Sequence, residues 1–316
     1  MKISRISIVL IFVYLFLPSQ SFATTKKALL IGINDYLNLP YYSNTIKETI
    51  TDLQGPVNDV NSMREMLLSK YGFLDENIKV LLDKEATRKN ILKALENFLV
   101  QGTQPGDLAF FFFSGHGTQL HDINGDEADG FDEALSCYES DARVYKPLNE
   151  SGFIIDDELG VIFRQLQGRD VVVFVDACHS ESVATRSIHG KPVSRLEKTS
   201  LIHAKFMPIE YSQPFRSMRS RSAGVSKQID IPESMVFISS SKENQVSVEV
   251  SGMDGFHGAL TSALIAGIKK NKDATYGELY QYVKKRIQDK VNLEQEPQIE
   301  PQSSPILARQ LFVPTR

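Results

Sequence analysis

Short apolar runs recur along this chain and alternate with segments whose apolar positions are spaced for a helix. Ala28–Ile33, Ile78–Leu82, Leu108–Phe113, Val171–Val175 and Met235–Ser240 are continuous and rich in β-branched or aromatic residues, which predicts strands buried on both faces. Ile306–Val313 reads as a last strand. Between them, Val57–Lys70 carries Val60, Met63, Leu67 and Leu68 near helical spacing. Thr87 is placed to cap a helix with Ile91, Leu92, Leu95, Phe98 and Leu99 on one side. Asp156-Asp157 stand where a cap belongs, ahead of Leu159, Ile162, Phe163 and Leu166. Gly258–Lys270 and Tyr276–Val291 predict two more helices. Strands alternating with helices imply an α/β domain with a mostly parallel sheet and helices on both faces.

One stretch breaks the alternation. Residues 184–228 lack strand or helix periodicity and hold nine Lys and Arg against Glu197 and Glu210. A basic insertion that long inside a domain is either functional or a passive disordered loop.

The N-terminus reads differently again. Lys2 and Arg5 precede the apolar run Ile6–Leu17, and Ser21-Phe22-Ala23 offers a small-residue cleavage site. That pattern predicts a signal peptide over 1–23 and a folded, exported domain over 24–316. The run is shorter than the roughly 20 residues a membrane span requires, so no stable membrane anchor is expected. The chain carries 35 Lys and Arg against 39 Asp and Glu; without Lys2 and Arg5 the balance is 33 against 39, a net charge of −6. An acidic balance argues against a nucleic-acid partner.

The chemistry sits where two apolar runs stop. Leu108–Phe113 leads into Ser114-Gly115-His116-Gly117, and Val171–Val175 into Asp176-Ala177-Cys178-His179-Ser180. In open parallel sheets, ligands bind beyond the carboxyl ends of the strands. If the two strands are neighbours, His116 and Cys178 emerge side by side, an imidazole next to a thiol that needs a base. The competing reading is a Cys137–Cys178 disulfide, which would suit an exported chain and consume the nucleophile. Spacing excludes two others: a Cys-x5-Arg phosphatase loop would need Arg at 184, which is Ala184, and His116 and His121 lack the zinc-peptidase pattern. Asp122, Asn124, Asp126 and Glu133 fall at positions of a calcium loop, but Glu127 replaces the required glycine.

Six motifs in order resemble the metacaspase branch of the caspase-like cysteine peptidases: Phe113–Gly117, Gly125-Asp126-Glu127, Asp129–Glu133, Asp156–Leu159, Asp176–Ser180 and, downstream, Ser239-Ser240-Ser241 with Gly255-Phe256. Ala28–Asn34 and Asn58-Asp59 extend the match upstream. The resemblance implies a caspase-like three-layer sandwich with a six-stranded, mostly parallel sheet whose last strand is antiparallel. It implies a cysteine endopeptidase with His116 and Cys178 as catalytic dyad, and backbone N–H groups of Gly117 and Cys178 as oxyanion donors. His179 would be positional. Asp59 and Asp176 would floor a pocket for a substrate Arg or Lys. Read without the resemblance, Asp176 also suits a strand-end turn cap and Asp59 a helix N-terminus.

The chemistry would require no cofactor. Calcium would be held by Asp132, Asp156 and Asp157, although the fourth carboxylate of the family pattern is missing from Glu181–Ile188. Glu181 also departs from the glycine usual there. The partner would be a protein or peptide substrate, the chain a monomer. Arg186, Arg195, Arg216, Arg219 and Arg221 would offer self-cleavage sites in the insertion. The rival from another class is a caspase-fold binding or regulatory module with little turnover.

Overall fold

The computed structural model describes residues 24–122, 124–125, 127, 130–178, 204–211, 232, 234–242, 245–252, 254–291 and 295–314. Its centre is a six-stranded sheet. In chain order the strands are β1 (Lys26–Gly32), β4 (Ile78–Leu82), β5 (Leu108–Ser114), β9 (Asp170–Asp176), β10 (Met235–Ser239) and β13 (Gln298–Glu300). Their spatial order is β13-β10-β9-β5-β1-β4, and only β13 runs antiparallel.

The unbroken apolar runs are explained by burial on both faces. Along β5, Phe110 and Phe112 join the core under helices α1 (Pro56–Tyr71), α4 (Ala259–Lys270) and α5 (Tyr276–Lys290). Phe111 and Phe113 join the opposite core, under α2 (Arg88–Ala94) and α3 (Asp156–Arg164). The period-2 alternation of a strand thus supplies both layers from one run of four phenylalanines. This is the three-layer sandwich expected.

Helix ends follow local chemistry. Thr87 accepts the Asn90 N–H, as its position predicts, and Thr275 with Glu278 forms a reciprocal capping box at α5. Asp156 and Asp157 are not caps. Both lie inside the first turn of α3, where the helix dipole favours acids, and Ile155 takes the cap position.

The last strand is also not where the apolar pattern puts it. Ile306–Val313 forms a single 3-10 turn over Pro305–Ala308 and then a bend, with Phe312 at φ +54°. Its apolar side chains serve packing instead: Phe312 meets Tyr71, Phe73, Phe110 and Phe174. The sixth strand is β13, short and polar, with Pro297 and Pro301 flanking it. It pairs Ile299 with Ile238 on an edge, where prolines are tolerated.

Three small antiparallel units surround the carboxyl ends of the sheet. They are the hairpin β2 (Tyr41–Ser43) with β3 (Glu48–Ile50), the sheet of β6 (Gly117–His121), β7 (Phe131–Ser136) and β8 (Phe153–Ile155), and the hairpin β11 (Glu249–Gly252) with β12 (Gly255–Gly258). Among the described residues no helix is long and apolar enough to cross a membrane.

Candidate active site

β5 and β9 are hydrogen-bonded neighbours in flush register, with Ser114 opposite Asp176. His116 and Cys178 therefore leave adjacent strand ends at the same height, two residues further on. Both are buried. The imidazole Nε2 lies 3.0 Å from the Thr51 carbonyl. That acceptor requires a ring proton on Nε2. The Tyr36 hydroxyl accepts the His116 backbone N–H at 2.7 Å, with the two rings 5.0 Å apart. Burial pushes the Tyr36 phenol well above its usual range, so it keeps its own proton. The Cys178 thiol is directed at the Gln245 carbonyl, 3.3 Å away. No disulfide joins Cys137 and Cys178. Cys137 is a buried core residue whose thiol is pushed up by burial.

Residues 204–211, the described part of the basic insertion, run through this site with isolated bridges at Ala204 and Phe206. The Lys205 carbonyl oxygen accepts two backbone N–H groups, from Gly117 at 2.9 Å and Cys178 at 3.2 Å. Those are the two donors named from sequence for an oxyanion. The Lys205 N–H donates to the Ser247 carbonyl at 2.9 Å, and the Met207 N–H to the Gly117 carbonyl at 2.9 Å. Ala204 bridges Val248 antiparallel, and Phe206 bridges Gly117 in parallel.

The Lys205 side chain fills an acidic hollow under the strand ends. Its Nζ lies 3.0 Å from Asp176 Oδ1, 3.5 Å from Asp59 Oδ2, 2.8 Å from Ser114 Oγ and 3.1 Å from the Asp176 carbonyl. Lysine and both carboxylates are 0% exposed. Burial alone would lower the lysine pKa, but Asp176, Asp59 and Glu249 outweigh it and hold the ammonium above its usual range. Each acid has a second set of donors. Asp176 accepts Thr261 N–H at 2.8 Å and Thr261 Oγ1 at 2.7 Å. Asp59 accepts Ser114 Oγ at 2.7 Å and the Gly258 N–H at 3.0 Å. Such bonds hold a buried carboxylate in one orientation. Gly258 has no alternative: a Cβ there would lie 2.1 Å from Asp176 Oδ2 and 2.3 Å from Lys205 Nζ.

His257 closes the hollow, with Nδ1 3.0 Å from Asp59 Oδ1 and Nε2 3.2 Å from the exposed Asp254. The Asp59 hydrogen bond is the main cause raising the imidazole pKa above 6.5, against burial. A histidine raised in this way stabilises the fold fully below about pH 6.5, and that contribution is lost as pH rises through the higher folded-state value. The stability gap between wild type and His257→Gln is thus expected to be widest near pH 6 and to narrow towards pH 9, read by urea unfolding across pH. A gap that widens with pH would contradict this assignment.

Asp132 lies on β7, which pairs with β8, and Asp156 and Asp157 open the helix α3 that follows β8. Asn124 donates to Asp157 at 2.5 Å. Among the described residues no group of three or more His, Cys, Asp or Glu is arranged to hold a metal ion. No chemical step is therefore drawn through calcium. Asp126, Asp129, His179 and Glu181 lie outside the described residues, as do Arg186, Arg195, Arg216, Arg219 and Arg221.

Lys205, Thr51, Tyr36, Ser114, Ser247, His257, Gly258 and Thr261 escaped the sequence reading. Only Lys205 carried a signal, as one of the nine basic residues in an unpatterned insertion. The rest are ordinary loop, strand-end and helix-start residues until the chain folds.

Comparison with known proteins agrees with this geometry. Residues 25–305 match the caspase domain family. Metacaspase-1 of Schizosaccharomyces pombe is 30% identical over 296 residues, covering 84% of this chain and 65% of the relative. Metacaspase-1 of Eremothecium gossypii is 29% identical over 307 residues, covering 87% and 63%. Metacaspase-1A of Aspergillus niger is 30% identical over 304 residues, covering 87% and 69%. The chain thus spans just under two-thirds of the length of the first two relatives. Among solved structures, a Geobacter sulfurreducens protein superposes with a TM-score of 0.62 at 21% identity, over 92% of this chain and all of the other. Caspase-1 of Spodoptera frugiperda gives 0.50 at 13% identity, over 87% and 86%. The chain belongs to the caspase-domain family, in its metacaspase branch.

Proposed function

We propose that this chain is a cysteine endopeptidase that cuts after Lys or Arg, and that its own Lys205–Phe206 bond is one substrate. The observation that carries the reading is the lodging of Lys205. Its ammonium pairs with Asp176 and Asp59, and its carbonyl oxygen receives the Gly117 and Cys178 N–H groups. A carbonyl held by the amide of the nucleophile itself and by that of Gly117 has the oxyanion contacts that attack requires.

In the reaction, Cys178 Sγ adds to the carbonyl carbon of the residue in the acidic hollow. His116 Nδ1 takes the thiol proton and returns it to the departing amine. The two amides receive the negative charge that develops on the carbonyl oxygen. Water then releases the acyl group from sulfur. Asp59 and Asp176 select a cation because leaving two buried carboxylates without one is costly. Arginine would match them with paired hydrogen bonds. Lys205 thus joins the five arginines of the insertion as a candidate self-cleavage site.

Two measurements test the reading. Peptides differing only before the cut should be hydrolysed with Lys or Arg there and resist with Asp; preference for Asp would refute it. Fragments formed on incubation should begin at Phe206, and Lys205→Ala should not yield them. Identical fragments from both proteins would exclude self-cleavage at this bond. We also propose export, on the strength of the first 23 residues; exported material should begin at Thr24.

A further inference from the structure

Beyond Phe206 the same segment stays engaged, and its contacts point to a second recognition element. Met207 is fully buried. The Pro208 carbonyl accepts the Tyr41 hydroxyl at 2.7 Å, and the Glu210 N–H donates to the Ala142 carbonyl at 2.8 Å. The Glu210 carboxylate then meets the turn that joins β2 to β3. It accepts the Asn44 N–H at 2.8 Å, the Thr45 N–H at 3.3 Å and the Ser43 hydroxyl. Burial would raise this carboxyl, but the bonds from Ser43, Asn44 and Thr45 outweigh it and hold it below its usual range.

We propose that the turn at Ser43–Thr45 is a carboxylate subsite five residues beyond the cut, selecting substrates with Glu at that position. This rests on reading Lys205–Phe206 as a bond seated for cleavage. Two consecutive backbone N–H groups in a turn form a concave anion receptor whose donors belong to the main chain. They do not depend on which chain supplies the acid. Glu210 reaches them because the residues between it and Lys205 are held in turn by Gly117, Tyr41 and Thr45. After self-cleavage and release of that segment, the turn faces the next substrate. Hydrogen bonds to an ionised acceptor are roughly twice as strong as neutral ones, so Glu should outperform Gln by about tenfold in kcat/KM, chiefly through KM.

The test uses full-length wild type incubated until Phe206 appears as a new N-terminus. Three substrates are compared: a Lys reporter ending at the cut, a quenched peptide containing Lys-Phe-Met-Pro-Ile-Glu, and the same peptide ending in Gln. The expected result is hydrolysis of the reporter and an about tenfold preference for Glu over Gln. Moving Glu one residue towards the cut should return the rate to the Gln level. Reporter hydrolysis with equal rates for Glu and Gln would overturn the subsite and leave the Lys/Arg reading standing. A preference independent of the position of Glu would overturn it too. Failure of the reporter itself would overturn the Lys/Arg reading and this inference with it.

Discussion

Cys178→Ala is expected to abolish peptide hydrolysis and to leave the chain intact at Lys205. Alanine removes the thiol of the residue whose amide, with that of Gly117, holds the Lys205 carbonyl, while both amides stay. The same hydrogen bonds then keep residues 204–206 in the cleft, so folding should be little altered. His116→Ala should lower kcat by about 10²–10⁴, the usual worth of a positioned acid–base group. Its residual activity should depend on pH like a free thiol, rising towards about pH 8.5. The pair is checked by steady-state hydrolysis of a Lys reporter with thermal unfolding as control. Substantial turnover in Cys178→Ala would end the cysteine-peptidase reading. Loss in both variants with collapsed thermal unfolding would instead report misfolding, and His116→Gln would then replace the alanine.

Asp176→Asn should have the next largest effect, on both stability and turnover. The Lys205 ammonium is wholly buried and 3.0 Å from Asp176 Oδ1, with Asp59 farther at 3.5 Å. Removing one partner of a buried pair typically costs 3–5 kcal/mol because the other charge is stranded; here about 3 kcal/mol is expected, since Asp59 and Ser114 remain in place. Lys205→Met in the same chain should recover part of that loss, because the stranded ammonium is then gone while Asp59 keeps His257, Ser114 and the Gly258 N–H as partners. The double-variant comparison by urea unfolding separates the ion pair from general damage to the strand end. In turnover, the same lost pairing should lower kcat/KM for Lys peptides by about 10². Retention of full stability and full Lys preference in Asp176→Asn would show that Asp176 is only a turn cap.

Much of the fold could be read from the one-dimensional pattern. Leu108–Phe113 and Val171–Val175 are strands because nothing in them could face water, and the helices under Val60, Ile91, Leu159 and Leu264 follow from apolar spacing. The misplacement of the last strand has a physical reason as well. Ile306, Leu311 and Phe312 are apolar because they fill the core over Tyr71 and Phe110, whereas Gln298–Glu300 pairs through main-chain groups that carry no hydropathy signal. Burial and strand pairing are separate demands, and only the first marks the sequence.

The site divides along the same line. The amino-acid sequence by itself determined that His116 and Cys178 end two buried strands and that acids stand nearby, because short-range pattern dictates strand ends. Tertiary structure alone decided what lies between those ends. Lys205 reaches Asp59 across 146 positions and Asp176 across 29, and Glu210 reaches Ser43 across 167. Separations that long leave no periodic trace. What joins Lys205 to its acids is the low-dielectric interior, where a charge settles only beside its opposite, whereas Glu210 is held by the N–H and O–H donors of a turn.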